Sequence, residues 1–127
     1  MSYRILIVDD QADIRKLVRM TLEFGDFDIH EAPDGETGLR MARALKPHVM
    51  LLDVMMPGEL DGYQVCHQIK QDPELKQIQV LMLTARGQSG DLAEGAVAGA
   101  DAYIVKPFSP MALIERVEAM AGATVDI

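Results

Sequence analysis

Apolar residues fall in short unbroken runs at Ile5-Leu6-Ile7-Val8, Val49-Met50-Leu51-Leu52, Val80-Leu81-Met82-Leu83 and Tyr103-Ile104-Val105, each followed by polar or turn-forming residues. Runs this short, with no polar alternation, are the pattern of strands covered on both faces, as in a parallel sheet. Phe27-Asp28-Ile29-His30-Glu31-Ala32 alternates instead, which predicts a strand open on one side, at a sheet edge. Between the runs the spacing becomes helical. Ile14, Leu17, Val18 and Leu22 share one helical face, and Leu113, Ile114, Val117 and Met120 share another. Further helices are predicted from Gly35 to Leu45 and from Gly62 to Gln71, the latter stopped by Pro73. Ser109 before Pro110, and Asp34 before Gly35-Glu36, have the chemistry of N-caps. The weakest helix, the fourth, is expected at about Ser89 to Val97, where Gly90, Gly95 and then Gly99 dilute an alanine-rich stretch. Its shallow packing face predicts mobility.

Five strands alternating with five helices predict an α/β fold, a doubly wound five-stranded parallel sheet. In the flavodoxin-like order 2-1-3-4-5, ligands bind beyond the carboxyl ends of the strands, at the switch point between the first and third. Asp9 and Asp10 follow the first strand and Asp53 the third, so these acids would flank that crevice. Thr84 and Lys106, at the ends of the fourth and fifth strands, would reach the same edge. Three carboxylates gathered in one place call for a cation.

A length of 127 residues fits one domain, large enough for a core without disulfides. Cys66 is the single cysteine and has no internal partner. With no charged-then-apolar leader and no apolar stretch long enough to span a bilayer, a soluble, reducing, cytoplasmic setting and no membrane contact are expected. The net charge of −8 argues against non-specific nucleic-acid binding, which needs a Lys/Arg excess, and points to protein partners. Nine methionines and no tryptophan predict an adaptable aliphatic core. His30, His48, His67 and Cys66 read as structural or surface residues. The glycines at 87, 90, 95 and 99 lack the Gly-Lys-Ser/Thr ending of a phosphate-cradling loop.

Five passages carry a family likeness: Ile5-Leu6-Ile7-Val8-Asp9-Asp10; Ala32-Pro33-Asp34-Gly35; Leu51-Leu52-Asp53-Val54-Met55-Met56-Pro57; Leu83-Thr84-Ala85; and Gly99-Ala100-Asp101-Ala102-Tyr103-Ile104-Val105-Lys106-Pro107-Phe108. In this order the chain resembles the receiver domain of bacterial response regulators, the phosphoacceptor half of two-component signalling. The likeness spans residues 1–122 and leaves 123–127 as a short tail. It implies that Asp53 accepts a phosphoryl group from a sensor histidine kinase or a histidine phosphotransfer protein. It also implies that Mg2+ is held by Asp9, Asp10, Asp53 and the main-chain carbonyl of Met55, while Thr84 and Lys106 contact the phosphoryl oxygens. Thr84 and Tyr103 would form the switch that alters the face of the fourth helix, fifth strand and fifth helix, where a downstream protein docks. Tyr103 also fits a packed edge-strand aromatic with no moving part. The domain would be no enzyme in the usual sense, only an autocatalytic phosphoacceptor that slowly loses its own phosphoryl group. It would be a monomer or a weak phosphorylation-dependent dimer, and either a stand-alone regulator or a piece of a longer protein. A cis Lys106-Pro107 bond is a further expectation by resemblance.

The chain also departs from the family pattern. Met56-Pro57-Gly58-Glu59-Leu60-Asp61-Gly62 has one residue more between proline and Asp-Gly than is usual, which lengthens the loop beside the acceptor. Gln11 stands where many relatives carry another acid, leaving Asp9 and Asp10 as the metal pair. Met55 and Arg86 take positions that, by resemblance, tune acyl-phosphate lifetime. The same fold also serves a pure interaction module, a magnesium enzyme acting on small phosphorylated substrates, or a flavin binder. Intact Asp53 and Lys106 argue against the first. The lack of an Asp-x-Asp acceptor signature and of a Ser/Thr-rich loop after the first strand argues against the others.

Clustered carboxylates repel. Two unit charges about 4 Å apart at an effective dielectric near 20 cost roughly 4 kcal/mol before any lysine offsets them. Asp10→Asn is therefore predicted to raise the stability of the metal-free protein while weakening magnesium binding. Denaturant melts with and without magnesium measure both effects; a metal-free variant less stable than the parent would contradict the prediction.

Overall fold

The computed structural model describes residues 3–23, 25–56, 58–85, 99–106 and 108–125. Strands β1 (Tyr3–Val8), β2 (Phe27–Ala32), β3 (Val49–Asp53), β4 (Gln79–Ala85) and β5 (Ala102–Lys106) form one parallel sheet in the order β2-β1-β3-β4-β5. Helices α1 (Ala12–Leu22), α2 (Gly35–Leu45) and α3 (Gly62–Gln71) and a C-terminal helix (Pro110–Val125) cover it. The predicted fourth helix, Arg86 and the Lys106-Pro107 bond lie outside the described residues.

Successive strand residues point to opposite faces, so each apolar run feeds two cores at once. Leu6, Val8, Met50, Leu52, Val80 and Met82 pack on one side with α2 and α3. Ile5, Ile7, Val49, Leu51 and Leu81 pack on the other with α1 and the C-terminal helix. This double coverage is why the central strands carry no polar alternation.

Two expectations about burial are corrected. The run Tyr103-Ile104-Val105 was expected to be covered on both faces, yet β5 is only partly buried and Val105 is 41% exposed. Among the described residues β5 pairs with β4 alone, as an edge strand does. Leu17 was expected on the core face of α1 but is 46% exposed. Val18 and Leu22 fill the contact with the sheet, and Leu17 lies to the side, in a surface groove with Met20, Met111 and Ile114. The C-terminal helix runs on to Val125, into the stretch read as a tail.

Local signals explain how the helices start. Asp34 accepts a hydrogen bond from the Thr37 N–H at 2.7 Å, and Ser109 accepts from the Ala112 N–H at 3.1 Å, so both predicted caps form. Asp61 and Gln64 add a reciprocal capping box at α3. Gly62 opens that helix directly against the acceptor strand. A Cβ there would stand 2.2 Å from the Asp53 carbonyl oxygen, so only glycine lets α3 approach the end of β3 this closely.

Candidate functional site

The parallel sheet delivers its strand ends to one edge, and the predicted polar residues meet there. Lys106, the last residue of β5, places Nζ 3.1 Å from Asp53 Oδ1 and 3.3 Å from Asp9 Oδ2. One ammonium thus bridges the two strands that flank the switch point. Asp9, Asp10 and Asp53 each offer a carboxylate oxygen within 4.8 Å of the others, and among the described residues no other such acid, histidine and cysteine grouping occurs. Asp9, Asp53 and Thr84 are buried, whereas Asp10 is more open to solvent.

Each element contributes for a local reason. Asp9 extends the β1–β2 ladder by one bond, its N–H donating to the Ala32 carbonyl at 3.2 Å, and its Oδ1 accepts from the Gln11 N–H at 2.9 Å. Thr84 pairs in register with Val105, and Ala85 with Lys106, so Thr84 and Lys106 lie one register position apart at the carboxyl ends of neighbouring strands β4 and β5. The Met55 main-chain N–H donates to the Asp53 carboxylate, while its side chain is 69% exposed. Beside Asp10, the longer loop lines an open groove through Gly58, Glu59 and Leu60, facing Asp34 and Glu36 at the start of α2.

The charges shift one another. Burial, reinforced by the negative charge of Asp9, pushes the Asp53 carboxyl up to about 6, against the pull of Lys106 and of the Met55 hydrogen bond. Burial alone would lower Lys106, but Asp53 and then Asp9 outweigh it and hold the ammonium above its ordinary range. The donor set suits a hard divalent cation: three carboxylate oxygens, one of them on the solvent side.

Tyr103, opposite Met82 in the β4–β5 register, packs against the core shared with α2 and α3. Its hydroxyl is buried without a hydrogen-bond partner. The remaining candidates are structural. Cys66 is buried in α3, its thiol pushed up to about 11 by burial, which removes it as a nucleophile. His48 Nδ1 accepts from the Arg4 N–H at 3.0 Å, and His30 stands 3.2 Å from Asp28.

One group lay beyond the reach of the sequence pattern. Arg15 on α1 donates from Nη1 to the Asp9 carbonyl oxygen at 2.7 Å and pairs through Nε with Glu31 on β2 at 3.2 Å. Nothing in the helical periodicity of α1 or the alternation of β2 marks these residues as neighbours of the acids.

Comparison with known proteins bears on this arrangement directly. The family model described as response regulator receiver domain matches residues 5–118. The chain belongs to the response regulator receiver domain family. This receiver is 45% identical over 124 residues to the transcriptional regulatory protein SrrA of Staphylococcus aureus (strain NCTC 8325 / PS 47), covering 98% of this chain and 50% of that protein. It therefore spans about half the length of the curated relatives it matches. Among solved structures it is similar to the chemotaxis response regulator CheY4 of Vibrio cholerae (TM-score 0.87, 29% identity, covering 94% of this chain and 99% of that one). It is also similar to the signal receiver domain of a signal transduction histidine kinase from Syntrophus aciditrophicus (TM-score 0.92, 28% identity, covering 99% and 95%). The expected fold and sheet order hold, and no helix among the described residues is long and apolar enough to cross a membrane.

The raised Asp53 sets a pH dependence. Its folded value lies above the ordinary 3.8, so between these two values the folded receiver keeps a proton that the unfolded chain has lost. The stabilisation from protonated Asp53 is full below about pH 4 and is lost as pH rises through about 6. Metal-free Asp53→Asn is accordingly predicted to be more stable than the parent at neutral pH by about 2 to 3 kcal/mol, with the gap closing toward about pH 4. Urea denaturation across this range checks it, and a gap independent of pH would refute it.

Proposed function

We propose that this receiver accepts a phosphoryl group on Asp53 from a phosphohistidine of a sensor histidine kinase or histidine phosphotransfer protein, in a magnesium-dependent reaction, and signals to a protein partner. The single observation that carries the reading is Lys106 Nζ held between Asp53 and Asp9 at the mouth of a three-carboxylate cluster. An Asp53 oxygen attacks phosphorus, the bond from phosphorus to the donor imidazole breaks, and its electron pair returns to the imidazole nitrogen. Phosphoryl transfer demands little covalent chemistry from the protein beyond positioning and charge stabilisation. Lys106 neutralises charge on one side of the group, and the buried Thr84 hydroxyl donates to a phosphoryl oxygen. Asp9, Asp10, Asp53 and the Met55 carbonyl would hold Mg2+, which when bound would supply positive charge to stabilise the phosphoryl oxygens.

The same groups run the switch. Drawing Thr84 toward the phosphoryl group opens space for the Tyr103 ring, whose buried hydroxyl has no partner to lose, and shifts the population toward an active surface on the β5 edge and C-terminal helix. Slow loss of the phosphoryl group by self-catalysed hydrolysis resets it. The excess of acidic residues favours a protein target over direct contact with nucleic acid, and the setting is cytoplasmic.

Intact mass after incubation with acetyl phosphate and magnesium tests the reading. Wild type gains one phosphoryl group, and neither Asp53→Ala nor wild type with magnesium chelated does so. Labelling of Asp53→Ala to the same extent would overturn it.

A further inference from the structure

We infer that Arg15 is a positioning residue that aims the Asp9–Asp10 acid pair at the cation, with Glu31 holding Arg15 in place; this rests on reading the three aspartates as the magnesium site. β1 ends at Val8, and the chain turns toward α1 immediately afterwards. The carbonyl of Asp9 belongs to the peptide that joins Asp9 to Asp10, so its orientation sets the direction in which Asp10 leaves the sheet. Arg15 Nη1 holds that carbonyl at 2.7 Å, while the Asp9 N–H is tied to Ala32 and its carboxylate to Gln11 and Lys106. Every polar atom of Asp9 is thereby engaged. Asp10, more exposed, is steered by the peptide it shares with Asp9.

Arg15 is fixed in turn. Its Nε pairs with Glu31 Oε1 at 3.2 Å, and the other oxygen of that carboxylate binds Arg19, whose guanidinium reaches the Ile29 carbonyl at 2.8 Å rather than the acids. One carboxylate on β2 therefore braces two arginines of α1, and only one of them touches the site. Charge separates positioning from a simple field effect. A guanidinium behind an acid cluster, acting only as a charge, opposes a divalent cation, so removing it would tighten binding. Acting as a brace, its removal loosens the acids and weakens binding. Groups that orient metal ligands from outside typically change metal affinity by about 10- to 100-fold.

Calorimetric titration with magnesium chloride alone, on the wild type and on Arg15→Ala, Arg15→Lys and Arg19→Ala, decides between these. Arg15→Ala is expected to bind magnesium about tenfold more weakly. Labelling by acetyl phosphate should recover at saturating magnesium, because the acceptor itself is intact. Should alanine unfold the domain, Arg15→Lys carries the test. It keeps the charge but has too small a head to hold both Glu31 and the Asp9 carbonyl, so it too should bind magnesium more weakly, whereas a field effect leaves it unchanged. Arg19→Ala is expected to leave the affinity within about twofold of wild type, since Arg19 makes no contact with Asp9. Unchanged or tighter binding by the Arg15 variants, or an equal loss in Arg19→Ala, would overturn the inference. A wild type that takes up no magnesium would instead overturn the proposed function, and this inference with it.

Discussion

The bridge from Lys106 to Asp53 and Asp9 is the interaction on which the site depends. Three carboxylates delivered to one sheet edge repel one another, and burial deprives two of them of the water that would screen that repulsion. Lys106 offsets part of the cost, as its raised affinity for a proton shows. The compensation is incomplete, because Asp53 still sits well above an ordinary carboxyl. The residual imbalance is what a divalent cation can relieve, so the charge repulsion that lowers stability also creates the binding site.

The sheet imposes this arrangement. Parallel strands in the order β2-β1-β3-β4-β5 present every carboxyl end on one side, and the reversal of order between β1 and β3 opens the crevice where the acids face each other. Gly62 allows α3 to close directly against the backbone of Asp53, and the Asp61–Gln64 box starts that helix at the required point. Gly58, Glu59 and Leu60, between β3 and α3, line the groove beside Asp10.

Much of this was legible in the amino-acid order. Unbroken apolar runs identify the central strands because both faces of β1, β3 and β4 are covered, and the polar residue closing each run identifies the site. The same reasoning overstates burial at β5, since an apolar run at an edge reads like one in the middle, and pairing decides which it is. It also places Leu17 in the core, because an apolar helical stripe wider than the contact it makes cannot show which margin faces water. Arg15 and Glu31 escape notice for a different reason. They lie 16 positions apart on a helix and an edge strand, where charged residues are ordinarily solvated, and only the packing of α1 beside β2 reveals that Glu31 holds the arginine that reaches the Asp9 carbonyl.

The charge balance at Asp53 is directly measurable by following its side-chain carboxyl carbon by NMR through a pH titration of the metal-free protein, in wild type and in Lys106→Met. The wild-type carboxyl should titrate near 6, and loss of the ammonium should move it higher still. An Asp53 that titrates near 4 and is indifferent to Lys106 would contradict a site built on unrelieved carboxylate charge.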